Sequence, residues 1–544
     1  MIHYVFCLDL AKLNRANGII TIRTKKYIKK YWTTNIYTSY DFDINEEHNF
    51  TILAGMQFER GDESWVQGYK TDLISEKVPS FPTATGDALL AEALAHNATE
   101  SYFARLNYNY KEKYLFEANV RYDGSYVFRN GKRWGTFPSF SVGWNLYNES
   151  FWENIEPYVN TLKVRASWGQ LGNQNISPYS DLELIPISAD KLNWIFNYGS
   201  TRPVGYTSGP NLVNRNLTWE TATTTNVGMD LSFLNNRLSA TVDWFERRTI
   251  DMVGPSQAMP GVLGTGVPKE NNSTLRTRGW EISLNWKHAL ENGLSYNLGI
   301  SLYDYKSVVT KYFNPTGTLS TWYEGAEVGD IWGYTVNDLF RSQEDLDSYL
   351  SKVDMTHIAA NWNTGDLKYE DINHDGKVNN GTNTIGNHGD LSVIGNDQPH
   401  YQYTINGGVS YKGFDFSMLW RGVAKKDMYF YRGSNIYWGF MGGWWESCLT
   451  PEHLDYFRDQ PGSKYSGLYE GDANINTDAY WPRPYLNNTE EAKNKNHANT
   501  RYLQNAAYLR LQNVQLGYSF PRSIASKMHL EKLRIYFSGE NLLT

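Results

Sequence analysis

Long apolar runs are missing from this chain. No stretch approaches the roughly 18 consecutive apolar residues that read as a membrane-crossing helix, and the mean hydropathy is -0.55. A helical membrane protein is excluded. Cysteine is nearly absent: Cys7 and Cys448 are the only two, enough for one pair but not for a disulfide framework. Positive charge is not in excess either. With 51 Lys and Arg against 58 Asp and Glu, the net charge is -7, which leaves no basic footprint for nucleic acid. No P-loop, Gly-x-Ser-x-Gly or Cys-x-x-Cys motif occurs, and the 11 His are scattered without metal-ligand spacing. The sequence offers no catalytic constellation, and an enzyme is not expected. The opening residues, MIHYVFCLDLAKLNRANG, lack the charged start, apolar core and small-residue cleavage site of a secretory signal.

What the chain does have is aromatic side chains, 15% of its 544 residues, with 40 Tyr and 19 Trp. Such enrichment without long apolar runs suits a membrane β-barrel, whose lipid face needs only every second residue apolar. Residues 101–123 show the pattern. Tyr102, Ala104, Leu106, Tyr108 and Tyr110 fall on one face of an extended strand, and Arg105, Asn107 and Asn109 on the other. After Lys111-Glu112-Lys113 the apolar face resumes with Tyr114, Phe116, Ala118, Val120 and Tyr122, opposed by Glu117, Asn119, Arg121 and Asp123. A period of two sustained over about ten residues is the length of a membrane-spanning strand.

The hairpin recurs at 225–244, 280–302 and 403–421. An Arg or Lys on the lipid face near the midplane costs roughly 2–4 kcal/mol. Arg105, Arg121, Lys163, Arg165 and Arg421 all sit on polar faces, so the apolar faces are the outward ones. About fourteen strands are expected, near 35–43, 49–60, 101–110, 114–128, 136–146, 159–170, 224–233, 237–249, 276–287, 293–305, 401–411, 413–424, 506–519 and 531–541. Connections within pairs are short, and those at 61–100, 171–223, 306–400 and 425–505 are long. Short periplasmic turns and long extracellular loops are the outer-membrane arrangement. The expected fold class is all-β, a transmembrane antiparallel β-barrel.

Several segments, in order, carry a family likeness: RYDGSYVFRNGKRWGTFPSFSVGWNL (121–146), LKVRASWGQLGNQ (162–174), NLTWETATTTNVGMDLSFLNNRLSATVDWFERRT (216–249), GDLKYEDINHDGKVN (365–379), NTRYLQNAAYLRLQNVQLGYSFP (499–521) and LRIYFSGENLLT (533–544). The chain resembles the SusC/RagA group of TonB-linked outer-membrane proteins over nearly its whole length. That resemblance implies a 22-stranded barrel holding an N-terminal plug. It implies a SusD-like surface lipoprotein and the TonB-ExbB-ExbD complex as partners, and oligosaccharide or peptide as cargo. About fourteen of those strands are expected here. Residues 1–30 look unlike the family and read as an atypical, miscalled leader, and 31–544 as a partial barrel domain without plug or closing strands. A truncated, non-functional gene product and a secreted all-β glycan-binding protein are the competing readings; the latter predicts shorter strands and no lipid-facing belt.

Two candidate sites stand out. The loop Asp371, Asn373, Asp375, Lys377 and Asn379, with Gly376 at the sixth position, matches the first half of a calcium loop. Position 12 is Thr382 rather than a bidentate Glu, and Asp390 is the residue that could fold back in its place. The competing reading is an Asx-rich turn held by its own backbone bonds. The second site is aromatic: Trp322 and Trp332 in one loop, and Tyr429, Tyr437, Trp438, Trp444 and Trp445 in another, whose rings could stack on a sugar or equally pack loops together. The inward polar residues Arg105, Glu117, Arg121, Asp230, Asp243 and Glu281 are expected to hydrate a lumen and pair with one another, and Glu344/Asp345 and Glu490/Glu491 to be solvated loop charge.

Overall fold

The computed structural model describes residues 2–543 other than 17–18, 76, 175, 179, 181, 184–186, 189–205, 208–211, 257–265, 431–434, 440–448, 463–468 and 486–487. The chain divides into two compact units, Met1–Leu231 with Phe245–Thr274, and Ser232–Trp244 with Leu275–Thr544.

The architecture is all-β. A 15-stranded sheet pairs its strands in chain order. They are β1 (Ile2–Ala16), β2 (Ile19–Ile44), β3 (His48–Lys70), β4 (Ala88–Tyr110), β5 (Tyr114–Ser125), β6 (Trp134–Asn145), β7 (Val159–Asn173) and β8 (Glu220–Phe233). There follow β9 (Leu238–Pro255), β10 (Lys269–Ala289), β11 (Ser295–Lys311), β12 (His400–Tyr411), β13 (Phe414–Lys425), β14 (Tyr508–Ser519) and β15 (Arg534–Leu543).

Register carries the alternation of each strand across its neighbours. In the first unit Tyr40, Ile52, Leu106, Ala118, Phe140 and Trp168 lie opposite one another from β2 to β7. One residue along, the row is Asp41, Thr51, Asn107, Glu117, Ser141 and Ser167. A one-residue slip would exchange the two rows, so the pattern fixes the register. The apolar row faces solvent, with Tyr40 67%, Ile52 45% and Phe140 46% exposed, as a lipid-facing surface must. Aromatic rings bound it. Near the short turns Phe50 stacks on Phe42 at 4.9 Å and lies 4.8 Å from Tyr108, and Tyr114 stacks on Trp144 at 6.2 Å. At the other end Tyr102 and Tyr122 stack on Trp134 at 6.2 and 4.6 Å. From Tyr102 to Tyr110 is roughly 27 Å of strand, which a tilt near 40° brings close to the height of an apolar membrane band.

The second unit repeats the rule. Tyr296, Val409, Phe416, Leu516 and Phe537 form one row from β11 to β15, and Asn297, Gly408, Ser417, Gln515 and Ser538 the next. The turn joining β12 to β13 is the residue pair Lys412-Gly413, with φ of +46° and +91°, the geometry of a tight two-residue hairpin.

Two features differ from the sequence expectation. Residues 1–30 are not a separate segment, since β1 lies inside them and β2 runs from residue 19 straight through the expected boundary at 31. The sheet therefore has one strand more than the fourteen expected. The first part of β2 carries Arg23, Lys25, Lys26, Lys29 and Lys30 on both faces, so it lacks the alternation that marks a lipid-crossing strand, yet it pairs with β3 down to Ile22 opposite Lys70.

The sheet buries little. The large apolar core among the described residues lies in the long loops of the second unit, around Phe340, Leu367, Tyr369, Val378, Met355, Trp438, Phe457 and Tyr502. These residues come from the connections β11–β12 and β13–β14, which fold together as a compact layer of their own.

Candidate functional site

Short strand pairs organise the β11–β12 connection. Asp330–Tyr334 pairs with Leu391–Asn396, and Val336–Leu339 with Leu367–Tyr369. Beside them, the Leu319 amide donates to Asn383 O at 2.9 Å and the Ile385 amide to Gly317 O at 2.9 Å, tying 314–319 to 383–385. Asn314 folds its own segment, donating to Thr318 O at 2.8 Å and Trp322 O at 3.0 Å. The result is a cavity of ≈ 300 Å³ lined by Tyr312, Phe313, Asn314, Pro315, Tyr323, Glu324 and Ile385. Trp322 is 40% exposed, its ring 5.9 Å from that of the lining residue Tyr312. Trp332 Nε1 donates to the Tyr323 hydroxyl at 3.1 Å, and its ring lies 5.5 Å from His388. Burial holds the Tyr323 phenol above its ordinary pKa, only partly offset by the Trp332 bond, so it stays protonated and able to donate. Trp322 and Trp332 are thus brought to one place, with polar groups beside them.

The other aromatic candidates are placed differently. Trp438 is 1% exposed and Tyr429 6%. Trp438 Nε1 donates to Phe430 O at 2.7 Å, and its ring makes edge contacts with Tyr502 at 5.1 Å and Trp481 at 5.8 Å. Tyr437 lies 5.1 Å from Trp481, and its hydroxyl is 3.1 Å from that of Tyr480. These three rings are taken up by packing. Trp444, Trp445 and Cys448 lie outside the described residues.

The loop from Asp371 to Asn379 turns through Gly376 at φ +81°. Asp371 accepts from the Asp375 amide at 3.2 Å and the Gly376 amide at 2.8 Å, Asn373 from the Asp375 amide at 3.0 Å, and Asp375 from the Lys377 amide at 2.9 Å. Asp390 does fold back: fully buried, it accepts from the Ile372 amide at 2.9 Å and the Asn379 amide at 2.8 Å. Asn379 in turn accepts from the Gly381 amide at 2.6 Å. Every one of these side chains thus serves a backbone donor, apart from Lys377, which offers none. Among the described residues no group of three or more His, Cys, Asp or Glu side chains is arranged to hold a metal.

One cluster escaped the sequence reading. Glu490/Glu491 reads as solvated charge, yet in the helix Asn488–Lys495 Glu491 is 1% exposed, as are Lys493 and Lys495, and Asn494 is fully buried. Lys493 Nζ reaches Asn361 O at 2.8 Å and Asp366 Oδ2 at 2.8 Å. Asn494 donates to Asp366 Oδ1 at 2.9 Å and accepts from the Leu367 amide at 3.1 Å. Glu491 accepts from the Tyr485 amide at 2.8 Å. Opposite charges spaced two and four residues apart on one short helix were the only available hint.

On the polar face of the first unit, Arg105, Arg121 and Asp230 find polar partners outside the set expected to pair with one another. Arg165 Nε lies 3.1 Å from Asp230, Arg105 donates to Asn119 at 2.8 Å, and Arg121 meets Asp123 at 3.1 Å. A cavity of ≈ 480 Å³ there is lined by Asn107, Glu117, Ser141, Lys163, Arg165 and Asn226 among others.

The family described as TonB dependent receptor-like, beta-barrel, matches residues 10–542. TonB-dependent receptor SusC of Bacteroides thetaiotaomicron is 27% identical over 524 residues, covering 93% of this chain and 45% of that protein. TonB-dependent receptor P26 of Formosa agariphila is 26% identical over 541 residues, covering 97% and 50%. The chain thus spans about half the length of the curated relatives it matches. Among solved structures, the RagAB peptide transporter superposes with a TM-score of 0.73 at 19% identity, over 97% of this chain and 53% of that one, a likeness of fold alone. Alternating strands, in-register apolar rows, aromatic belts and a family match over nearly every residue agree: the chain belongs to the TonB dependent receptor-like β-barrel family of the outer membrane.

Proposed function

We propose that this chain supplies wall strands and outer loops of a TonB-dependent nutrient importer, acting as the channel subunit beside a SusD-like surface lipoprotein, with an oligosaccharide as cargo. The reading is of transport without covalent chemistry, and the curated relatives carry the name receptor. The observation that carries the cargo class is the aromatic group on the β11–β12 connection: Trp322 is 40% exposed, its ring 5.9 Å from that of Tyr312, which lines the ≈ 300 Å³ cavity. Flat rings offer apolar area to the faces of a sugar ring, while Glu324 and the Tyr323 hydroxyl offer polar partners at its edge. The test is equilibrium binding of oligosaccharide and peptide panels to the full-length protein and to Trp322→Ala. We expect an oligosaccharide to bind and Trp322→Ala to weaken it about 5- to 100-fold, the equivalent of roughly 1–3 kcal/mol. Binding of peptides alone would replace the cargo class, and unchanged affinity would remove Trp322 from the site.

Calcium at Asp371, Asn373 and Asp375 belongs to the same proposal. Each oxygen that accepts one backbone amide keeps a second lone pair for a cation. Calcorimetric titration of the full-length protein is expected to show calcium binding that Asp375→Ala abolishes; absence of heat at millimolar calcium would leave the loop as an Asx turn.

A further inference from the structure

Lys493 and Asp366 meet inside the loop layer of the second unit, cut off from solvent. Their side chains are 1% and 0% exposed, and Nζ lies 2.8 Å from Oδ2. Asp366 comes from the β11–β12 connection and Lys493 from β13–β14, so tertiary packing alone brings them together. Taking two charges out of water is costly, and their attraction repays it only with good geometry and further hydrogen bonds. Nζ directs its three hydrogens to Asp366, to Asn361 O at 2.8 Å and to Glu490 Oε2 at 3.3 Å. The rings of Tyr485 and Trp362 stand 4.6 and 5.6 Å from it.

Both oxygens of the carboxyl are fixed. Oδ1 accepts from the Tyr485 hydroxyl at 2.8 Å and from Asn494 Nδ2 at 2.9 Å, and Oδ2 from the Asn363 amide at 2.8 Å. Burial holds the Tyr485 phenol well above its ordinary pKa, so it stays a donor. Two fixed donors on one carboxyl oxygen are the arrangement that stabilises the oxyanion of acyl transfer. A plain buried carboxylate is served by the same donors. What is added here is an amine one hydrogen bond away and a second carboxylate, Glu490, touching that amine.

We propose that Lys493 Nζ and Asp366 Cγ condense into an amide, a covalent cross-link between the two long connections, with Glu490 relaying a proton. One proton passes from Nζ to Oδ2, leaving an amine and a carboxylic acid. The nitrogen lone pair then bonds to Cγ while the C=O electron pair moves onto Oδ1, held there by Tyr485 and Asn494. Glu490 takes a second proton from Nζ and delivers it to Oδ2. The Cγ–Oδ2 bond breaks with its electron pair, Oδ2 leaves as water, and the Cγ–Oδ1 double bond re-forms. The sum is ammonium plus carboxylate to amide plus water, with no oxidant and no cofactor. Two buried charges are removed, while the donors on Oδ1 and the Asn361 acceptor beside Nζ suit the amide that replaces them. A site this dry also protects the product from hydrolysis. The link constrains the unfolded chain as a disulfide across a long loop does, in a protein with only two cysteines.

The test is mass spectrometry of the full-length protein, denatured and reduced. The intact chain is expected to be lighter than its sequence mass by one water. Trypsin is expected to release a branched peptide that joins the segment holding Asp366 to the one holding Lys493. Lys493→Arg is expected to keep the full mass and give only linear peptides. Glu490→Gln alters a side chain 32% exposed, which the fold tolerates readily. In a pulse-chase it is expected to lose water about 100-fold more slowly than the parent, the contribution of a positioned acid–base group. A parent of full mass with only linear peptides would overturn the cross-link, and that outcome depends on no variant folding. So would a water loss that persists in Lys493→Arg, or a branch from Lys493 to Glu490 in place of Asp366. Linking at the parental rate in Glu490→Gln would remove Glu490 from the relay.

Discussion

Tryptophan in a long loop is ambiguous as a letter and unambiguous once placed. Trp322 and Trp438 enter the sequence in similar company, among Tyr, Gly and Ser, and stacking on a ligand or on another loop fits either. The structure leaves Trp322 40% exposed and Trp438 1%. What separates them is long-range packing: Trp481 and Tyr502, which cover Trp438, lie too far along the chain for any local pattern to reveal. Charge was illegible for the same reason. Glu491 sits in a polar stretch, but tertiary contact with the 361–367 segment buries the helix that carries it, and one of its oxygens has no hydrogen-bond partner. Burial is the main force raising its pKa from 4.5 to about 8, against the Tyr485 amide and the Lys495 and Lys493 charges that pull it down, with Asp366 adding to the rise. Between those two values the unfolded segment releases a proton that the folded one keeps. Stability of the helix Asn488–Lys495 is therefore whole below about pH 4.5, falls as pH rises through that window, and levels off above about pH 8. The slope is on the order of 1.4 kcal/mol per pH unit. Hydrogen exchange of the helix amides, corrected for intrinsic rates, is expected to show more opening at pH 8 than at pH 5, and Glu491→Gln to flatten that difference. A slope that survives the substitution would assign it to another group.

Strands were the most legible part of the chain because their rule is local and repeats. From β4 to β7 the apolar residues read from alternation take their places in apolar rows, and Arg105, Arg121, Lys163 and Arg165 fall on the opposite face, Arg121 there between Phe103 and Phe137. Legibility failed where the solvent changes. The upper halves of β2, β3 and β4 continue past the aromatic belt at Tyr102, where both faces meet water and no alternation is required, so the sequence expectation stopped near residues 35, 60 and 101. Leu106 and Asn107 test the rule at its centre. They are consecutive, Leu106 lies midway between Tyr102 and Tyr110, and they project to opposite faces. Leu106→Arg in the full-length protein places a charge at the middle of the lipid band, at a cost of roughly 2–4 kcal/mol, whereas Asn107→Arg adds one more charge to a polar row. Fractionation of outer membranes is expected to show sharply reduced assembly for Leu106→Arg and near-normal assembly for Asn107→Arg. Equal assembly of the two would contradict the assignment of faces.

At the scale of the molecule, the proposed function divides labour between this chain and the rest of the importer, and separates binding from transport. Strands joined by continuous hydrogen-bond ladders have no second arrangement of similar energy, so the wall has nothing to switch between; loops with their own apolar core can recognise a ligand but cannot supply energy for moving it. Work has to enter through a part of the system other than these strands, and in the proposed function it comes from the TonB complex. The two roles are then separable by experiment. In cells lacking TonB, surface binding of the cognate oligosaccharide is expected to persist at unchanged affinity while uptake falls to background. Trp322→Ala should do the reverse at saturating ligand: affinity falls by the factor measured at equilibrium, and the maximal uptake rate holds, because an exposed ring that stacks on bound cargo contributes to capture rather than to passage. Uptake that persists without TonB would mean passive diffusion through a pore and would remove the energy-coupled reading. A loss of maximal rate in Trp322→Ala with affinity intact would move that residue from capture to the transport path.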